Sequence, residues 1–356
     1  RIFSLAQICL DNGDFDVALK CYRYIIDNKE DGFYYSGSKM GLLNVMNKKI
    51  TSGNYTSEEL TMLEREYYTA IAEFGHSAEA VELTRDLALL QAYYLHKTDT
   101  AMALLRSAVI AGGIKPSLQA RCKLALGDIL LMRNEIWDAS LLYSQVEKAY
   151  KYDPLGDEAK FRNAKVAFYT GDFHWAKAKL DVLKGSTSKL IANDAMYLSL
   201  LISDNTGIDT TERPLKMFAR AELLAIQNKD QLSFRVLDSI NELYPHHALE
   251  DDILLQRYKI AMKKREYERA KTFLEKLIGS YGYDILGDDA TFLLAELYEN
   301  KLNQPDKARE LYLSLLTDYP GSLYVVQARK RFRKLRGDDP AALERDRRGG
   351  TMNDNP

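Results

Sequence analysis

The chain has 356 residues, 46% hydrophobic and 28% charged, with a formal net charge of −2. That balance is ordinary for a globular protein and supplies no whole-molecule field drawing it to nucleic acid or anionic lipid. No apolar run reaches the roughly 20 residues that a membrane-spanning helix needs.

The opening residues Arg1 to Ala6 already lie in a helical pattern and lack an initiator Met. The chain is therefore expected to be a fragment or the remainder after processing, with any signal peptide or lipid-anchor Cys upstream. The first unit places Leu5, Ala6 and Cys9 on one helix, turns at Asn12-Gly13-Asp14-Phe15, and places Ala18, Tyr22 and Ile25 on the next. Apolar residues at three- and four-residue steps on both sides of a Gly turn describe a pair of amphipathic helices. The three cysteines, Cys9, Cys21 and Cys122, show no metal-ligand spacing and read as buried thiols, although Cys9 and Cys21 fall on facing helices.

A looser pair follows at 36–50 and 57–74, where Ser57 offers an N-cap and Glu58 and Glu59 suit the helix dipole. Further pairs are expected at 77–95 with 98–111, and at 117–132 with 136–150. The next hairpin spans 157–183 and turns at Gly171-Asp172-Phe173. Aligning the small residue of each second helix gives Ala18, Ala101, Ala139, Ala176, Ser233, Ala270 and Ala308. The steps from Ala101 to Ala139 and Ala176 are 38 and 37 residues, and those from Ser233 to Ala270 and Ala308 are 37 and 38. This rhythm is what a helical-repeat solenoid requires.

One step, Ala176 to Ser233, is 57 residues. Its surplus holds an apolar helix at 188–203 (Ile191, Ala195, Leu198, Leu201, Ile202) and a polar loop at 204–211. It reads as an insertion that lengthens one unit and changes the curvature, or as a hinge between two sub-arrays. The last pair, 290–300 with 306–319, stops at Pro320-Gly321. Ser322 then caps a final helix at 323–335, with Val325, Ala328 and Phe332 on its apolar face. Arg329, Lys330, Arg331, Arg333, Lys334 and Arg336 form a solvated face, as a terminal helix of an array needs.

The expected organisation is an N-terminal sub-array at 1–187, an inserted helix and loop at 188–212 and a C-terminal sub-array at 213–322. A basic capping helix at 323–337 and a disordered tail at 338–356 complete it. The fold class is all-α, a solenoid of helix-turn-helix repeats.

The aligned units resemble tetratricopeptide repeats, and the resemblance implies a right-handed superhelical solenoid. The first helices carry Ala6, Gly127, Ala164, Ala221 and Ala295, and Tyr22, Tyr143 and Tyr312 stand four residues beyond their small partners. Pro245 and Pro320 stand where such units place a closing Pro. The early consensus Trp is missing, and the step is a few residues longer than the usual repeat. The loops Asn241 to Pro245 and Asp318 to Tyr324 resemble those of bacterial cell-envelope members, which implies a periplasmic or outer-membrane-associated protein, with the cytoplasm as the other setting.

The resemblance implies a non-enzymatic scaffold for protein or peptide ligands, with no cofactor and no small-molecule substrate. First helices line the binding groove, which places Leu90, Tyr93, Tyr94, Leu124, Asp128, Leu131, Met132, Phe161, Lys165, Phe168 and Tyr169 along it. Beyond the insertion it adds Phe218, Glu222, Leu255, Lys259 and Met262. No Lys/Asn carboxylate clamp for a peptide C-terminus appears among them.

The five histidines (His76, His96, His174, His246, His247) read as loop and turn residues rather than metal ligands. No phosphate cradle, nucleophile elbow or zinc-protease motif appears, so no catalytic, cofactor or metal residue is assigned. Two alternatives stand beside the scaffold. One is nucleic-acid or anionic-membrane binding through Arg329 to Arg336. The other is an accessory segment of a larger enzyme.

Overall fold

The computed structural model describes residues 1–28, 32–53, 55–207 and 211–338. Among them the chain forms α-helices joined by turns and short loops. Contacts divide it into two compact units, Arg1–Ile202 and Ser203–Pro356. The first holds α1 (Ile2–Asn12), α2 (Phe15–Asn28), α3 (Tyr35–Ser52), α4 (Ser57–Phe74), α5 (Ala78–Tyr93), α6 (Thr98–Ile110), α7 (Pro116–Met132), α8 (Ile136–Ala149), α9 (Pro154–Tyr169) and α10 (Phe173–Leu183). It also holds most of α11 (Lys189–Asp204). The second unit holds α12 (Arg213–Ile226), α13 (Asp230–Leu243), α14 (Glu250–Lys263), α15 (Tyr267–Tyr281), α16 (Gly287–Asn300), α17 (Pro305–Asp318) and α18 (Val325–Arg336). The expected middle of the polar loop, 208–210, and the expected tail from 339 lie outside the described residues.

Outside the α3–α4 pair, each hairpin is closed by one residue in the left-handed region: Gly13, His96, Asn134, Gly171, Asn228, Arg265 and Asn303, with φ between 53° and 80°. Each stands five residues before the small residue of its second helix. The next residue turns its N–H back to a carbonyl at the end of the first helix, as Asp14 does to Cys9, Glu135 to Leu130, Asp172 to Ala167 and Glu266 to Ala261 (2.8–2.9 Å). This helix-ending bond satisfies carbonyls that the last turn would leave bare and aims the chain into the second helix. Only Gly13 and Gly171 meet the backbone demand without strain; Arg265 and His96 hold φ values that side chains disfavour.

The small residues mark where the helices of a pair cross. Ala18, Ala101, Ala139, Ala176, Ser233, Ala270 and Ala308 have no exposed surface. Ser233 shows the contact directly, because its Oγ donates to the carbonyl of Ala221, the small residue of the partner helix, at 2.7 Å. At Gly127 an added Cβ would meet Tyr143 Cε1 at 2.4 Å, so the glycine is the space the ring occupies. Tyr22, Tyr143 and Tyr312 are all buried. The α14–α15 pair reverses the sizes. Tyr258 stands at the crossing position of α14, seven residues before its turn, and Leu274 stands where α2, α8 and α17 carry a ring.

The looser pair has its own cause. Helices α3 and α4 are each 18 residues long, and a capping box between Thr56 and Glu59 starts α4. Thr56 Oγ1 accepts from the Glu59 N–H while the Glu59 carboxylate accepts from the Thr56 N–H. Helix α18 starts at Val325, two residues later than expected from the sequence. Ser322 spends its Oγ on the Tyr324 N–H at 3.1 Å and fixes the preceding turn.

Candidate protein-binding groove

The candidate surface is built by the first helices of the pairs: α5, α7 and α9 in the first unit, and α12, α14 and α16 in the second. The side chains at its floor are set by the crossing residues, since the residue after each crossing position points beside the contact. This puts Asp128 after Gly127, Lys165 after Ala164, Glu222 after Ala221, Lys259 after Tyr258 and Glu296 after Ala295. Asp128 and Lys165 carry opposite signs on α7 and α9, and Glu222, Lys259 and Glu296 alternate along α12, α14 and α16, while α5 has apolar Leu90 at this position.

Burial divides the residues expected to line the groove. Tyr93 and Lys259 are exposed, and Tyr94, Asp128, Phe161, Lys165, Glu222 and Met262 are half-buried. Leu90, Leu124, Leu131, Met132, Phe168, Tyr169, Phe218 and Leu255 are buried. Their apolar surface is used between helices. Leu90 belongs to a core cluster with Leu43, Leu60, Leu63, Tyr67 and Leu87. Phe168 meets Phe173 at the head of α10, ring centroids 5.6 Å apart.

The polar part of the first unit is organised around Asp128. Its Oδ1 accepts from the Tyr143 hydroxyl of α8 at 2.8 Å. Arg162 of α9 donates to Asp128 Oδ1 and Oδ2 at 2.9 and 3.2 Å, and to Glu158 at 2.7 Å. Burial opposes the Arg162 charge, but Asp128 and Glu158 outweigh it and hold the guanidinium protonated. Desolvation pushes the Tyr93 hydroxyl up and the Asp128 charge adds to the rise, although 46% of the residue's surface is exposed. Lys165 Nζ stands 5.6 Å from the centre of the Tyr169 ring.

The second unit repeats this arrangement with other residues. Tyr312 of α17 donates to Glu299 Oε2 at 2.7 Å, and Arg331 of α18 donates to Glu299 at 2.9 Å and to Glu296 at 2.6 Å. Burial pushes the Glu296 carboxyl up while Arg331 pulls it back. Arg331 is therefore not part of the solvated face expected for α18; two carboxylates of α16 hold it against the array. Arg162, Glu158, Glu296, Glu299 and Arg331 are not singled out by the sequence because their role comes from pairing across helices. The available signal was the 169-residue correspondence that carries Tyr143 to Tyr312 and Arg162 to Arg331.

His76, His96, His246 and His247 sit in loops and turns, whereas His174, expected in a turn, lies in the first turn of α10. His96 closes the α5–α6 turn, and the His246 N–H donates to Glu250 Oε1 at 3.0 Å. His247 Nδ1 accepts from the Leu249 N–H at 3.3 Å, and burial pushes the ring's pKa down.

The family model for the tetratricopeptide repeat matches residues 289–322, most of α16, all of α17 and the loop after it. No curated protein matches the chain. Among solved structures, the chain is similar to a tetratricopeptide repeat protein from Parabacteroides merdae ATCC 43184, at 13% identity and TM-score 0.41, covering 84% of this chain and 98% of that one. It is also similar to the TPR domain of P58(IPK), at 14% identity and TM-score 0.28, covering 94% and 96%. A third is a monomeric IFIT1 mutant with an m7Gppp-AAAA cap, at 14% identity and TM-score 0.36, covering 96% and 72%. The matched hairpin shares its buried crossing residue and its left-handed turn with the pairs before it, so the all-α array is built of hairpins like the one that the tetratricopeptide-repeat model matches.

Proposed function

We propose that the chain is a protein–protein interaction scaffold whose first helices hold peptide segments of its partners within a multiprotein assembly. The observation that carries this reading is the set of accessible side chains left beside the buried crossings. Tyr93, Tyr94, Phe161 and Lys165 serve the first unit, and Glu222, Lys259 and Met262 the second. Aromatic and Met surface gives contact area at small entropic loss, and the flanking charges orient an incoming chain. The alternation of Asp128 with Lys165, and of Glu222 with Lys259, favours a partner segment that carries both signs of charge.

We place this assembly in the bacterial cell envelope, a reading supported by the loops Asn241 to Pro245 and Asp318 to Tyr324. Co-purification with the intact chain from its source tests both parts. Partners lost when Tyr93→Ala, Phe161→Ala and Lys165→Glu are combined support the groove reading. An unchanged partner set refutes it, and recovery of the protein solely from cytosol refutes the envelope setting.

A further inference from the structure

The 169-residue correspondence makes α18 the counterpart of α9, and it exposes a face that α9 covers. Ala159 and Asn163 of α9 turn to α8: Ala159 has no exposed surface, and Asn163 exchanges hydrogen bonds with Ser140 and Ser144 at 3.0 Å. Their counterparts on α18 are Ala328, also fully buried, and Phe332, with Arg331 paired to α16 as Arg162 is to α7. So α18 docks on α17 as α9 docks on α8.

The opposite side of α9 belongs to α10. Asp157 Oδ2 accepts from the Ser186 hydroxyl just beyond α10 at 2.6 Å, Ala164 is buried at the crossing, and Phe168 meets Phe173. On α18 these positions are Val326, Arg333 and Gly337. Val326 is 75% exposed, and Arg329 lies beside it one turn on, exposed as well.

We propose that this face of α18 docks an acidic amphipathic helix of a partner protein, seated as α10 is seated on α9. The helix has no acidic residue between Val325 and Arg336. An incoming helix therefore meets Arg329, Arg333 and Lys334 around an exposed apolar side chain. Arginine at the crossing, where α9 has Ala164, excludes the close Ala-to-Ala approach of the internal pairs. It selects a partner that brings carboxylates to that point.

The apolar centre and the neutralised neighbours favour a helix over a polyanion. Arg331 is held by Glu296 and Glu299, Arg336 by Asp338, and the carboxylates of Asp289, Glu296 and Glu299 flank the helix on the α16 side. A phosphate backbone would meet these acids and gain nothing from Val326.

A display library of helical peptides selected on the intact protein, with counter-selection on the Arg329→Glu/Arg333→Glu variant, tests this directly. Recovered sequences are expected to carry Asp or Glu beside apolar residues at helical spacing. They should lose about tenfold or more in affinity on R329E/R333E and a few-fold on Val326→Ser. These side chains are exposed or half-buried at the end of the array, and an unchanged circular dichroism spectrum checks that each variant is folded. An empty selection, recovered sequences without acidic bias, or indifference to Val326→Ser overturns the proposal. So does tighter binding of a single-stranded RNA oligonucleotide or a phosphatidylserine vesicle through the same residues.

Discussion

The Tyr143 hydroxyl donates to Asp128 across the α7–α8 crossing at 2.8 Å, directly beside the glycine that makes room for its ring. Packing and polar contact at this point are therefore one construction: Gly127 admits the ring, the ring carries the hydroxyl to Asp128, and Asp128 ties α9 in through Arg162. Tyr143→Phe should remove the hydrogen bond with the ring left in place, lowering stability by about 1–2 kcal/mol. Chemical denaturation checks this, and an unchanged midpoint would remove the network from the account of stability.

Gly127→Ala should destabilise more than its size suggests, because the new Cβ would lie 2.4 Å from Tyr143 Cε1. The expected loss is about 1–3 kcal/mol for overpacking a close crossing. Tyr143→Leu in the same chain should recover part of it, since α9 and α10 already pair Ala164 with Leu180 there. A double-mutant cycle with no favourable coupling would contradict this geometry.

The left-handed turns give a prediction of opposite sign. Arg265 holds φ at 59°, where glycine is at ease and Arg is strained. Arg265→Gly should raise stability by up to about 1 kcal/mol, after the entropy that glycine adds to the unfolded chain. Gly171→Val should lower it, since a β-branched residue tolerates φ of 79° poorly. Thermal melts of both variants decide the matter, and a lower melting temperature for Arg265→Gly would refute it.

Asp251 gives a pH prediction. Burial raises its carboxyl above the ordinary range, with Asp284 and Asp204 adding to the rise and its bonds to backbone N–H groups opposing it. A raised folded pKa means that the native state binds the proton more tightly than the unfolded one. Stability is then gained as pH falls through the folded pKa, and the full penalty of the buried charge is felt above it. Asp251→Asn keeps an oxygen for the Asp252 N–H, which now reaches Asp251 Oδ1 at 2.8 Å. It should raise the melting temperature at neutral pH, with the gain shrinking towards nothing in acid. A gain that does not depend on pH would sink the explanation.

What the sequence made legible follows from what packing makes periodic. Ala139, Ala176 and Ala270 could be aligned because close helix crossings favour small side chains, and the crossing recurs every 37 or 38 residues from Ala101 to Ala176 and from Ser233 to Ala308. The accessible surface of the first helices was half legible. Tyr93 is exposed and Phe161 half-buried, but Phe168 and Phe218 are buried, since sequence position along a helix does not reveal where the neighbouring pair covers it. Tyr258 shows the same limit. A large residue at a crossing breaks the pattern, yet Tyr258 is buried there. Arg331 read as one of six basic residues on a solvated helix; that Glu296 and Glu299 lie within reach depends on how α18 meets α16.

The central claim is that partners are held by the accessible residues beside the crossings of the first helices. Placing a photo-crosslinking amino acid singly at Tyr93, Phe161 and Lys259, and at exposed Trp137 on second helix α8, measures this most directly. The account predicts discrete partner adducts at the first three positions, diminished by competing partner peptide, and none at Trp137. Adducts at Trp137 alone, or equal adducts at all four positions, would contradict it.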